Sequence, residues 1–141
     1  MNTVSGTFEV KLEPKADVFP EGMALNALSI DKQFSGPLSG SSKGMMISAM
    51  GGVQGSAGYV ALEVVTGNLN GKAGTFALQH FGVMDRGSPS LTVKVVPDSG
   101  TGELKARWIS RLQTVCTAMS WLMSFPRANT GFPTEFLWLG I

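Results

Sequence analysis

The stretch Tyr59-Val-Ala-Leu-Glu-Val-Val-Thr66, followed by Asn68-Leu-Asn-Gly71 and then Thr75-Phe-Ala-Leu-Gln-His-Phe-Gly-Val-Met84, decides the fold class. The first run is β-branched or aromatic and free of breakers. Asn70-Gly71 is the favoured pair for a tight hairpin, because both central residues of that turn need positive φ. The two flanking runs should therefore pair antiparallel. Alternation places Phe76, Leu78, His80, Gly82 and Met84 on one face of the second run, and Thr75, Ala77, Gln79, Phe81 and Val83 on the other.

The same reading extends in both directions. Upstream, Phe8, Val10 and Leu12 alternate with Thr7, Glu9 and Lys11, and Leu28, Ile30, Lys32 and Phe34 alternate with Ser29, Asp31, Gln33 and Ser35. Lys32 interrupts its apolar face, as a long stem near the mouth of a barrel can. Seven glycines fall between Gly36 and Gly58; within them Gly44 to Ala49 reads as strand, and Gly51-Gly52 with Gly55 as turn. Downstream, Asp85-Arg-Gly-Ser-Pro89 turns into a strand over Leu91 to Val96, which Pro97-Asp-Ser-Gly100 closes. Six short strands with glycine-rich turns, and no long helical pattern between them, predict an antiparallel barrel or sandwich rather than βαβ units.

Composition narrows the function classes. The chain has 141 residues, 43% hydrophobic and 15% charged, with a formal charge of +1. That suits one domain, 1–141, with its own core. Scattered basic residues argue against a nucleic-acid surface. One cysteine, Cys116, excludes an internal disulfide framework, and one histidine leaves no metal-ligand set. Gly51 to Gly58 lacks the Gly-Lys-Ser/Thr of a phosphate loop. No cofactor is expected. The first twenty residues carry Glu9, Glu13 and Asp17 and contain no apolar run, so the expectation is a cytoplasmic protein without a membrane span.

The last third differs. Residues 1–105 hold sixteen glycines and 106–141 two, and all three tryptophans lie in the later part. Ile109, Leu112, Cys116, Met119 and Met123 fall three and four apart, and Pro126 would stop a helix, so the spacing predicts a helix over 104–125. Cys116 reads as a packing residue, and Trp121, Phe125, Phe132, Phe136 and Trp138 as a cover for exposed core.

Several motifs carry a resemblance. Gly55-Ser-Ala-Gly-Tyr-Val-Ala-Leu-Glu63, Thr66-Gly67, Leu78-Gln-His80, Met84-Asp-Arg-Gly87 and Val95-Val-Pro-Asp-Ser-Gly-Thr-Gly-Glu-Leu104 closely resemble the bacterial family numbered 3224 among domains of unknown function. Gly6 to Leu12, Ser29 to Phe34 and Ser42-Lys-Gly44 look like the same family. The likeness covers about 5–104, the barrel body. Val64 and Met45 depart from it, standing where the family commonly has arginine and an acidic residue. The family is similar to allene oxide cyclase-like barrels: antiparallel, roughly eight-stranded, with a calycin-like cavity. The resemblance implies that fold and carries no activity.

Beyond Lys105 the likeness stops, which leaves two readings: a shift of reading frame in the gene, or a helical replacement of the closing strands. Either would leave sheet edges open, so the chain is expected to form a homodimer or higher oligomer.

Four residues are candidates for the cavity: Tyr59, Glu63, Gln79 and His80. An inward His80 would be an acid–base group near neutral pH, although a lone histidine more often serves structure. An inward Glu63 needs a partner, whereas an outward one would pair with a surface cation. Asp85 and Arg86 are rim candidates, held by a salt bridge or, for Arg86, attracting an anionic head group. Three function classes follow: a barrel binding an apolar or amphipathic small molecule, an isomerase or cyclase on a lipid-like substrate, and a scaffold without chemistry.

Overall fold

Eight strands follow one another in a meander, β1 (Asn2–Lys15), β2 (Asn26–Ser35), β3 (Leu38–Met50), β4 (Ala57–Leu69), β5 (Lys72–Asp85), β6 (Ser88–Val95), β7 (Gln113–Thr117) and β8 (Ser120–Phe125). The structure is a computed structural model that describes residues 2–105, 113–117 and 120–125, with side chains over 5–105. The first six strands form one continuous antiparallel sheet. The backbone of β8 pairs with β1 from Asn2↔Phe125 to Thr7↔Ser120, and β7 meets β6 at Val93↔Thr114 and Lys94↔Gln113. The strand order thus returns to β1.

Turn chemistry sets the registers. Asn70 and Gly71 have φ of 51° and 83°, the geometry of a two-residue hairpin, and the Gly71 N–H donates to Asn68 Oδ1 at 2.7 Å. Arg86 and Gly87 repeat it at φ 48° and 88°. β3 begins at Leu38, earlier than its sequence pattern suggests. Gly40 lies opposite Gly67, where a Cβ on either would run into the other strand's backbone, so glycines that read as loop sit inside a sheet.

The predicted helix over 104–125 is corrected by the backbone: a single 3-10 turn occupies Gly102–Leu104, and Gln113–Thr117 and Ser120–Phe125 are strands. The physical reason is that Thr114, Val115 and Thr117 are β-branched, and the free edges of β1 and β6 offer unpaired backbone that a helix would leave unsatisfied. The premise of open edges behind the expected oligomer changes accordingly. The side chains of Cys116 and of Trp121, Phe125, Phe132, Phe136 and Trp138 lie outside the described residues.

Inward-facing residues form two apolar clusters. Phe8, Phe34, Leu38, Val65, Leu69, Phe76, Leu78, Val93, Val95 and Leu104 pack at one end; Ile30, Met46 and Ala61 lie toward the other, with Leu12, Leu28 and Tyr59 against them. The segment after β6 closes the first end. It runs beside the leading half of β5, where Val96 N–H donates to Ala77 O at 2.9 Å and Thr101 N–H to Thr75 O at 2.8 Å. Ala73 N–H donates to Glu103 Oε2 at 2.9 Å. Leu104, which these bonds hold in place, is fully buried. Among the described residues no helix is long and apolar enough to cross a membrane.

Candidate functional site

Between the two apolar clusters lies a polar tier. Lys32, Ser42, Glu63 and His80 are all inward-facing and buried, Glu63 at 1% exposure and His80 at 7%. β2 and β4 flank β3, so Lys32 and Glu63 reach each other across it, Lys32 Nζ to Glu63 Oε1 at 2.8 Å. The Ser42 hydroxyl donates to Glu63 Oε2 at 3.1 Å. Gly44, directly opposite Glu63, makes this possible: a Cβ there would meet the Leu62 carbonyl and the Glu63 Cα and Cβ. The Lys32 ammonium also stands 5.0 Å from the centre of the Phe8 ring. One buried carboxylate is therefore matched by one buried cation and a hydroxyl.

His80 extends the tier toward the open end. Its Nδ1 lies 3.2 Å from the Tyr59 hydroxyl, and its Nε2 is 3.8 Å from Glu63 Oε1, beyond hydrogen-bonding distance. Burial first, then the Lys32 charge, push the imidazole down to about 4, against a smaller upward pull from Glu63. The ring is neutral at pH 7. The tautomer with hydrogen on Nε2 points its N–H at the carboxylate and lets the Tyr59 O–H donate to Nδ1, the electrostatically favoured arrangement. Nε2 is buried and makes no hydrogen bond among the described residues.

Tyr59 reaches His80 because Gly82 gives way. Tyr59 and Gly82 are directly paired on β4 and β5, and a Cβ on Gly82 would collide with the Tyr59 ring. The ring crosses that space and stands edge-on to the imidazole, with centroids 5.6 Å apart at 74°.

On its other side Tyr59 borders a cavity of about 650 Å³. The cavity opens at the end opposite Leu104, under the long 16–25 connection between β1 and β2. Val18, Phe19, Met23 and Leu25 come from that connection, and Leu28, Met50 and Met84 from strand ends. Val18, Met23 and Met50 are substantially exposed there, beside the charged Lys15, Asp17 and Glu21.

The sequence candidates divide. Tyr59, Glu63 and His80 come together in one chain of contacts. Gln79 does not: it is exposed on the outer face, because its parity is opposite to that of His80. Asp85 and Arg86 are exposed in the β5–β6 turn, and no ion pair joins them; the Arg86 N–H instead donates to Ser56 Oγ at 3.2 Å. Arg86 φ of 48° is set by the hairpin, so backbone geometry rather than charge shapes this rim. Lys32, expected near the mouth of a barrel, is instead buried between the two clusters as Glu63's partner; the sequence pattern showed its inward parity and not the pairing. Ser42 was legible only through its alternation with Met46.

Fold and interior together define a small antiparallel β protein with a buried ion pair beneath a cavity. The chain belongs to the family described as "Protein of unknown function (DUF3224)", whose profile matches residues 4–107. It is similar to the crystal structure of a protein of unknown function from that family from Shewanella oneidensis MR-1, at 39% identity and a TM-score of 0.73. That likeness covers 91% of this chain and 99% of the other, so it takes in part of the chain beyond the family profile. No curated protein matches.

Proposed function

We propose that this protein is a barrel of the calycin-like, allene oxide cyclase-like type that binds one apolar or amphipathic small molecule in the cytoplasm. The cavity of about 650 Å³ carries the reading, since it falls in the usual range for small-ligand sites, roughly 300–1,000 Å³. Val18, Phe19, Met23, Leu25, Leu28, Met50 and Met84 give it an apolar wall, Lys15, Asp17 and Glu21 add charge to the lining, and Tyr59 offers a polar contact where the cavity meets the tier. Binding is favoured over catalysis because His80 and Glu63 stand behind Tyr59 and do not line the cavity. Proton traffic to an occupant would have to pass through the phenol.

A thermal-shift screen with fatty acids, isoprenoid alcohols and aromatic amphiphiles, followed by calorimetry, tests this. At least one class is expected to raise Tm in a saturable way, and Ala57→Phe, which fills the cavity, to abolish the rise. No stabilisation by any class, or stabilisation unchanged in Ala57→Phe, would remove the proposal.

A further inference from the structure

The outer face of the sheet carries a second feature, unconnected with the cavity. Where Glu63 and His80 point inward, their neighbours on β4 and β5 point out, and all of these except Gln79 are apolar. Val60, Leu62 and Val64 on β4 are 56%, 57% and 52% exposed. The register places Ile47 and Phe81 on either side of Val60, Met45 and Gln79 on either side of Leu62, and Lys43 beside Val64. Val83 continues the row along β5. These seven side chains occupy three adjacent strands with no charged residue among them.

Such a surface is unusual for a water-facing sheet, whose outward positions ordinarily alternate to polar. At the measured exposures the seven side chains present on the order of 600 Å², the upper limit of a typical monomer's largest patch and close to the ~800 Å² that each partner contributes to a standard interface. Charges border it: Lys43 on β3, directly opposite Val64 and paired to Asp31 at 3.3 Å, and Lys94 on β6.

We propose that this face is an interface with a second copy of the same chain, formed by packing the β3–β4–β5 outer faces of two protomers against each other. A sheet face of aliphatic side chains is shaped to pack on another sheet, about 10 Å away, with the rows interdigitating. Two copies related by a two-fold axis supply that second sheet without any further component, the commonest form of self-association. A lipid surface fits less well. The patch has no Trp or Tyr, which favour the membrane interface, and one of its two marginal lysines is already paired with Asp31. Self-association here rests on the closed, inward-looking tier, which leaves β4 and β5 their apolar residues on the outside, and does not require open strand edges.

The test is the solution mass of the full chain across micromolar concentrations, by sedimentation and light scattering. The wild type is expected at twice the chain mass. Leu62→Lys with Phe81→Lys should dissociate on the order of 100-fold or more readily, because two half-exposed apolar side chains become charges in the interface. Leu62→Thr with Phe81→Thr keeps strand-forming residues and should weaken assembly in the same direction while leaving the far-ultraviolet dichroism unchanged. Glu9→Lys, on the outer face of β1 away from the patch, should leave the dimer intact. A wild-type monomer at 100 µM, whether or not it binds phosphatidylcholine vesicles, overturns the proposal. So does a dimer that persists in both double variants. Ligand stabilisation in the thermal-shift screen is read separately, so either proposal can fail without the other.

Discussion

Lys32 and Glu63 form an ion pair of 2.8 Å across an intervening strand, with both side chains withdrawn from solvent. Such a pair is costly to assemble and costlier to break, since either partner left alone is an uncompensated buried charge. Lys32→Met and Glu63→Leu are each expected to lower unfolding stability by about 3–5 kcal/mol, while the double variant should recover most of that loss. Urea unfolding of the three variants, arranged as a double-mutant cycle, measures it. Additive losses would show that the pair does not act as a unit.

The His80 ring makes stability depend on pH in a defined direction. Unfolded, the ring takes its proton near 6.5; folded, near 4. Between those values the unfolded chain binds more protons, so stability rises with pH. The contribution is complete above about 6.5 and is lost as pH falls toward 4. Its full size is about 3 kcal/mol, and His80→Gln should flatten that part of the profile. Denaturant unfolding of both proteins at pH 7, 5.5 and 4.5 checks it. Parallel profiles would place the pH dependence elsewhere.

Tyr59→Phe removes the hydroxyl that satisfies His80 Nδ1. With Nε2 already unpaired, the variant leaves a buried imidazole without a strong partner, at an expected cost of about 1–2 kcal/mol. Gly82→Ala should also destabilise, by displacing the ring that lies over it. Gly44→Ala should cost more, because the added methyl meets backbone, which cannot swing aside. A lower Tm for Gly82→Ala than for Gly44→Ala would contradict this account of the tier.

The Thr101 hydroxyl meets β5 twice, accepting from Thr75 N–H at 3.1 Å and lying 2.6 Å from the Thr75 hydroxyl. Thr101→Val keeps the shape and removes both contacts. The expected loss is about 1–2 kcal/mol, with faster amide exchange at Ala73, Thr75 and Ala77. Unchanged exchange at those amides would mean that the segment after β6 does not hold the leading half of β5.

The antiparallel sheet was readable because its chemistry is local. Asn70-Gly71 announces a hairpin by itself, and the alternation of Phe76, Leu78 and His80 requires only the period of a strand. Register could not be read, because it depends on which strand lies opposite, so Gln79 and His80 stood equally near the cavity until pairing separated them. Lys32 showed its inward parity, but Ser42 sits among glycines whose role emerges only when β3 meets β4. The spacing at 104–125 failed for a different reason. Residues three and four apart can also alternate, and the demand of neighbouring backbone for partners outweighed the helical pattern. The 16–25 connection offered prolines but no period, so its place over the cavity followed from where β1 and β2 end.

Leu104 stoppers one end of the interior. Under the proposed function, a molecule that enters past Val18 and Met23 would leave by the same doorway. Residence time would then be governed by how often the 16–25 segment lifts, and hardly at all by diffusion through the body. An occupant longer than the chamber would keep its tail outside, so length, more than head-group chemistry, would sort what this protein can carry.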